Sequence, residues 1–155
     1  MPTTFLYINT ASLDSHGDVW AVGRDLTKYD GENWSYYDGN NSVVPSNSPY
    51  FLDTRSISID NENSKWVGCA VTASLSQDLV FVASGDQAAT GESWTLSQFG
   101  DYSSESPNWE VPTIYASPYT EEVLAFISPL NGGYGTGGTA NVGVTGGYLW
   151  RYDKK

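Results

Sequence analysis

The stretch Ser12-Leu-Asp14-Ser-His-Gly17-Asp-Val-Trp20 returns as Ser58-Ile-Asp60-Asn-Glu-Asn63-Ser-Lys-Trp66, so that residue 12 is matched by residue 58. Both copies read Ser, apolar, Asp, two variable positions, Gly or Asn, two more, then Trp. Four matched positions that include two tryptophans make an internal repeat. The pattern is that of a β-hairpin. An Asp at the start of a turn accepts hydrogen bonds from backbone N–H groups one to three residues on, and Gly17 or Asn63 tolerates the left-handed conformation that closes the turn. The returning Trp20 or Trp66 can then fold beneath the hairpin and bury a large apolar area.

A second repeat runs beside the first. Gly31-Glu-Asn-Trp34-Ser35 is echoed by Gly91-Glu-Ser-Trp94-Thr95, and Lys28-Tyr29-Asp30 by Arg151-Tyr152-Asp153. A third, degenerate copy of the first motif spans 114–126, where length and apolar pattern survive but the Asp and Trp do not.

Asp14, Gly17, Trp20, Tyr29, Asp30, Gly31 and Trp34 together resemble the β-propeller repeat of two-component-regulator sensor domains. Ser-x-Asp-x-x-Gly-x-x-Trp is similar to the Asp-box of other propellers. The resemblance is closest over 5–38, looser over 52–99 and fades beyond. It implies four-stranded blades and no particular reaction, because propellers host many unrelated functions.

The 155 residues suit a single β-repeat domain, 1–155, with units of roughly 5–45, 50–105 and 108–155. Repeat periods of about 40–50 residues are propeller-like. Three blades fall short of the roughly four to eight that close a ring. An all-β architecture of about three propeller-like blades, its ring or sheet edges completed by oligomerisation, is therefore expected.

Seven Lys and Arg stand against 18 Asp and Glu, a net charge of −11, which argues against binding nucleic acid or an anionic membrane through charge. The single cysteine, Cys69, permits no intrachain disulfide and reads as a buried, inert thiol. No stretch approaches the roughly 20 apolar residues of a membrane span, and Met1-Pro-Thr-Thr4 lacks the marks of a signal peptide. The expected location is a virion, or the cytosol with release by lysis.

Along the chain, strands are predicted over 4–8, 7–13, 19–22, 26–29 and 34–37. The second unit follows at 55–59, 65–71, 78–82 and 93–99, and the third at 111–116, 123–127, 141–144 and 148–152. Residues 39–49 and 100–107 read as polar connections, and 131–147 as a glycine-rich loop. Sustained 3.6-residue periodicity is absent, so almost no helix is expected.

Catalysis is poorly supported. The one histidine, His16, reads as a solvated turn residue, and with one Cys and one His there is no zinc cluster or Ser/His or Cys/His mechanism. Paired carboxylates could hydrolyse glycosides, but the motif aspartates are committed to turns. Asp60-Asn-Glu62-Asn-Ser64 begins like a calcium loop yet lacks its later Gly and Glu. Gly133-Tyr-Gly135-Thr-Gly-Gly138 matches a bare G-x-G-x-x-G without a following helix. No metal, cofactor or enzymatic activity is expected.

The aromatics are the more informative surface. Trp20, Trp34, Trp66, Trp94 and Trp150 occupy repeat positions and read as core. Tyr50, Tyr102, Trp109, Tyr119 and Tyr134 fall in predicted loops, where they could stack on sugar rings or anchor a protein interface. The sequence thus points to a non-enzymatic structural or assembly module. Its acidic, cysteine-poor composition resembles that of virion components such as phage tail, fibre or capsid-decorating proteins. Its expected partners are further copies of itself or other virion proteins. The alternative is a glycan-binding lectin with an oligomer-completed propeller.

Overall fold

A computed structural model describes residues 7–23, 26–37, 51–72, 80–83, 93–94, 108–129 and 148–153. These form eleven β-strands and, among the described residues, no helix. A first unit comprises β1 (Ile8–Leu13), β2 (Val19–Gly23), β3 (Leu26–Tyr29) and β4 (Trp34–Tyr37). A second comprises β5 (Phe51–Ile59), β6 (Lys65–Thr72), β7 (Val80–Ala83) and β8 (Ser93–Trp94), and a third β9 (Asn108–Ala116), β10 (Glu122–Pro129) and β11 (Tyr148–Asp153). The described turns, after Leu13, Tyr29, Ile59 and Ala116, fall where the sequence places them. β5 and β9 begin earlier than predicted, at Phe51 and Asn108. The predicted strand at 141–144, most of the run at 4–8, and the connections at 39–49, 100–107 and 131–147 lie outside the described residues. No helix is long and apolar enough to cross a membrane.

The first unit is an antiparallel meander in the order β1-β2-β3-β4. The other two units do not remain separate blades, which corrects the expectation of three independent sheets. They share one seven-stranded sheet, joined through β6. One side of β6 pairs with β5 along its length. Its other side pairs first with β7, over Lys65 to Gly68, and then with β9, over Ala70 to Thr72. The eight residues of β6 give it the length to serve two partners. Gly68 sits where they divide, and a Cβ there would lie 2.5 Å from Ser56 Oγ and 2.7 Å from Val111 Cγ1. Only a missing side chain lets β9 come so close.

Register assigns the two faces of each unit. In antiparallel pairs, residues directly opposite share a face. In the first unit the rows Ser12–Trp20–Lys28–Ser35 and Thr10–Val22–Leu26–Tyr37 point one way. In the second unit Ser58–Trp66–Val82 occupy the corresponding row, and Ile59–Lys65–Ala83 the opposite face.

Two cores follow from this alternation. Trp20, Val22 and Leu26 of the first unit pack with Ile57, Val67 and Cys69 of the second, flanked by Tyr37 and Ile59. Trp66, Val80 and Val82, on the other face of the second unit, pack with Val111, Ile114, Ala116, Val123, Ala125 and Ile127 of the third. The tryptophan faces of the first and second units are therefore each buried against the opposite face of the next. Cys69 is buried, as the sequence reading expects.

Hydroxyls of β5 tie the units together. Thr54 Oγ1 accepts from Gly23 N at 2.9 Å and donates to Gly23 O at 2.8 Å. Ser56 Oγ donates to Val111 O at 2.7 Å, and Ser58 Oγ accepts from Ala116 N at 2.9 Å. Backbone groups of β2 and β9 thus find partners on β5.

Candidate functional site

The two tryptophan turns are near-copies in atomic detail. Asp14 Oδ1 accepts from His16 N at 2.9 Å and Asp18 N at 3.0 Å, while Oδ2 accepts from Trp20 Nε1 at 2.9 Å. Asp60 Oδ1 accepts from Glu62 N and Ser64 N, both at 2.9 Å, and Oδ2 from Trp66 Nε1 at 2.7 Å. The acceptor thus reaches two and four residues on, one further than the sequence reading assumed. Gly17 at φ 86° and Asn63 at φ 64° hold the left-handed position, where glycine and asparagine are the usual choices. Each carboxylate fastens a turn and an indole at once. Trp20 and Trp66 are 0% and 2% exposed.

The first turn also meets the second unit. Asn63 Oδ1 accepts from Ser15 N at 3.0 Å. Lys65, with its side chain 1% exposed, places Nζ 3.9 Å from Asp14 Oδ2 and 5.0 Å from the centroid of the Trp20 ring. Lys28 stands 5.5 Å from the same ring and is ion-paired to Asp18, and Tyr37 stacks on Trp20 at 5.5 Å. Two ammonium groups within about 6 Å of an indole are favourably placed against its π-face. Burial alone would raise the Asp14 carboxyl, but Trp20, the backbone N–H groups of Asp18 and His16, and Lys65 outweigh it and hold the group below its ordinary value. The hydrogen bond to Asp18 lifts the Lys28 ammonium above its own, against burial.

The third turn keeps the frame with different chemistry. Ser117 stands where Asp14 and Asp60 stand, its Oγ accepting from Thr120 N at 3.0 Å and Tyr119 N at 3.2 Å. Its N donates to Glu122 O at 2.9 Å, whereas Asp14 N and Asp60 N reach Asp18 O and Ser64 O. The turn is one residue longer, and a serine can satisfy it because Leu124 replaces the tryptophan whose indole needs an acceptor. Register pairs Tyr115 with Leu124 and Leu124 with Arg151, as it pairs Ser12 with Trp20 and Trp20 with Lys28. The Arg151–Glu122 ion pair accordingly repeats Lys28–Asp18.

The structure redistributes the predicted contact residues. Tyr119 sits in the third turn and is 89% exposed. Trp109 belongs to β9, paired with Val71 and Pro129, and not to a loop. Tyr50, Tyr102 and Tyr134 lie outside the described residues. Trp34, expected in the core, is 41% exposed and packs on Tyr29 with ring centroids 4.9 Å apart. It pairs with Tyr29 on the face turned away from the second unit, which explains the difference. Trp94 and Trp150 fall in β8 and β11.

No family model, curated protein or solved structure matches the chain.

The charged residues at the first seam escaped the sequence reading. Their signal lay in the repeat itself: aligning Ser12–Trp20 with Ser58–Trp66 sets Lys65 opposite Val19, a cation where the other copy carries an apolar residue. Asp14, His16 and Asp18 bring one potential metal-ligand atom each within 4.8 Å of the others. The Asp14 oxygens are already occupied by three N–H donors, and Asp18 by Lys28. At the calcium-like stretch, Asp60 is occupied in the same way. These carboxylates fasten their own turns, and Asp14 also meets Lys65 across the first seam.

Proposed function

We propose that this chain is a non-enzymatic structural module of propeller-like repeats, working by packing its sheets against neighbours within a virion, as a tail, fibre or capsid-decorating protein does. The observation that carries the reading is the occupation of its best-placed polar groups. Asp14, Asp60, Lys65 and the β5 hydroxyls all hold turns and seams together. The acidic composition supports it too, since a net charge of −11 keeps a structural protein soluble and off nucleic acids.

One observation favours a second reading, a lectin. Tyr119 projects from the third turn almost fully exposed, where an aromatic ring could stack on a sugar. A glycan array at physiological salt separates the two. The structural reading expects no specific binding. Specific binding by the wild type that is lost in Tyr119→Ala would establish the lectin and overturn it.

A further inference from the structure

Among the described residues, each seam joins the tryptophan face of one unit to the opposite face of the next, and this rule leaves two faces without a described neighbour. On the first unit they are the rows Leu13–Val19–Tyr29–Trp34 and Ala11–Ala21–Thr27–Tyr36, in which Ala21 and Thr27 are already buried at the centre and the exposed apolar side chains lie around them. On the third they are Tyr115–Leu124–Arg151 and Thr113–Phe126–Leu149. Of the nine large hydrophobic side chains exposed among the described residues, seven lie on these two faces: Ile8, Leu13, Trp34 and Tyr36 on one, Tyr115, Phe126 and Leu149 on the other. Leu13 and Leu149 are 65% and 69% exposed. Single exposed apolar residues are ordinary, but apolar residues gathered on one face mark an interaction surface.

We propose that the leftover face of β9–β11 docks on the leftover face of β1–β4 of a second copy, head to tail. The inference rests on the assembly reading above and names its partner. The internal seams supply the template. At the first seam Trp20 meets Lys65, and at the second Trp66 shares a core with Val123, the residue at the Lys65 position. By the same register Leu124 holds the tryptophan position of the third unit, and Val19 the Lys65 position of the first. A head-to-tail contact would set Leu124 against Val19 of the second copy, an apolar pair at the point where both internal seams bury their anchor.

Charge is compatible with the match. The two rows of the first-unit face carry no ionisable acid or base. On the third-unit face, Glu122 and Arg151 lie at one end and are paired with each other. The described charges on the two faces are therefore already paired within their own face. A contact between unlike faces generates a closed ring or an open filament. Two copies bring six units, within the roughly four to eight that close propeller rings, so a dimer is the expected product.

Light scattering and native mass spectrometry of the 155-residue chain at tens of micromolar test the proposal. The wild type should run at twice 16.9 kDa. Leu149→Glu and Leu13→Glu should each be monomeric, and mixing them should restore a mixed dimer through the one seam that neither substitution touches. Leu149→Gln and Leu13→Gln provide the same readout without added charge, and circular dichroism confirms that each variant is folded. A monomeric wild type, a dimer indifferent to both substitutions, or a mixture that stays monomeric would overturn the docking. Those outcomes leave the structural reading standing, because only specific glycan binding strikes that directly.

Discussion

The two internal seams solve one packing problem with different residues at the position that faces the tryptophan. At the first, Trp20 is covered by the buried ammonium of Lys65, which needs the Asp14 carboxylate beside it. At the second, Trp66 lies in a core with Val123 at the corresponding position, and the ion pair that links the two units, Arg55 with Glu110 at 3.3 Å, joins β5 to β9. The tryptophan and its aspartate are common to both; the residue that covers them is not. The lesson is that the turn, with its carboxylate-bound indole, is the conserved part of the unit. The neighbour has only to fill the space above the ring and leave no charge unpaired. The third unit extends the comparison: once leucine replaces tryptophan, the aspartate has no indole to bind and serine suffices.

Removing the constant part should have the largest effect. Trp20→Ala and Trp66→Ala each delete a buried ring and leave a carboxylate oxygen without its donor, and should cost about 3–5 kcal/mol in denaturant unfolding. Equal losses at the two seams would support a common role. A loss at only one would show that the two turns are not equivalent.

Acid should sharpen the comparison next. The Asp14 carboxyl is held below its unfolded value, so its contribution to stability is present above the unfolded pKa and is lost as pH falls through the folded one. Unfolding midpoints should therefore drop as pH falls below about 4. In Asp14→Asn the curve should begin lower and fall less, since the titrating group is gone.

Much of this was legible in the sequence. The recurrence of Asp, Gly or Asn, and Trp at fixed spacing is a local signal, and local hydrogen bonding dictates the hairpins it encodes. The bounds of β3 and β4 follow from Asp30-Gly31 and the alternation around it. The echo of Lys28-Tyr29 in Arg151-Tyr152 marked equivalent register positions 123 residues apart. What could not be read are consequences of stacking. The junction of β9 with β6 depends on the close approach permitted at Gly68, and the exposure of Trp34 on which face of the first unit finds a neighbour. The burial of Lys65 depends on the ring and carboxylate of another unit.

The smallest single effect is expected at the variable position. Lys65→Met replaces a buried cation by an apolar side chain of similar length and should change stability by no more than about 1 kcal/mol, in either direction. Asp14→Ala should be far more costly, about 3 kcal/mol, because it strands the ammonium in the seam. The direct test of the account is the double-mutant cycle between them, read by denaturant unfolding. A coupling of about 1–3 kcal/mol, with Asp14→Ala much better tolerated once Lys65 is Met, is the predicted result. Additivity to within about 0.5 kcal/mol would contradict the claim that the first seam is fastened by a carboxylate and an ammonium from successive units.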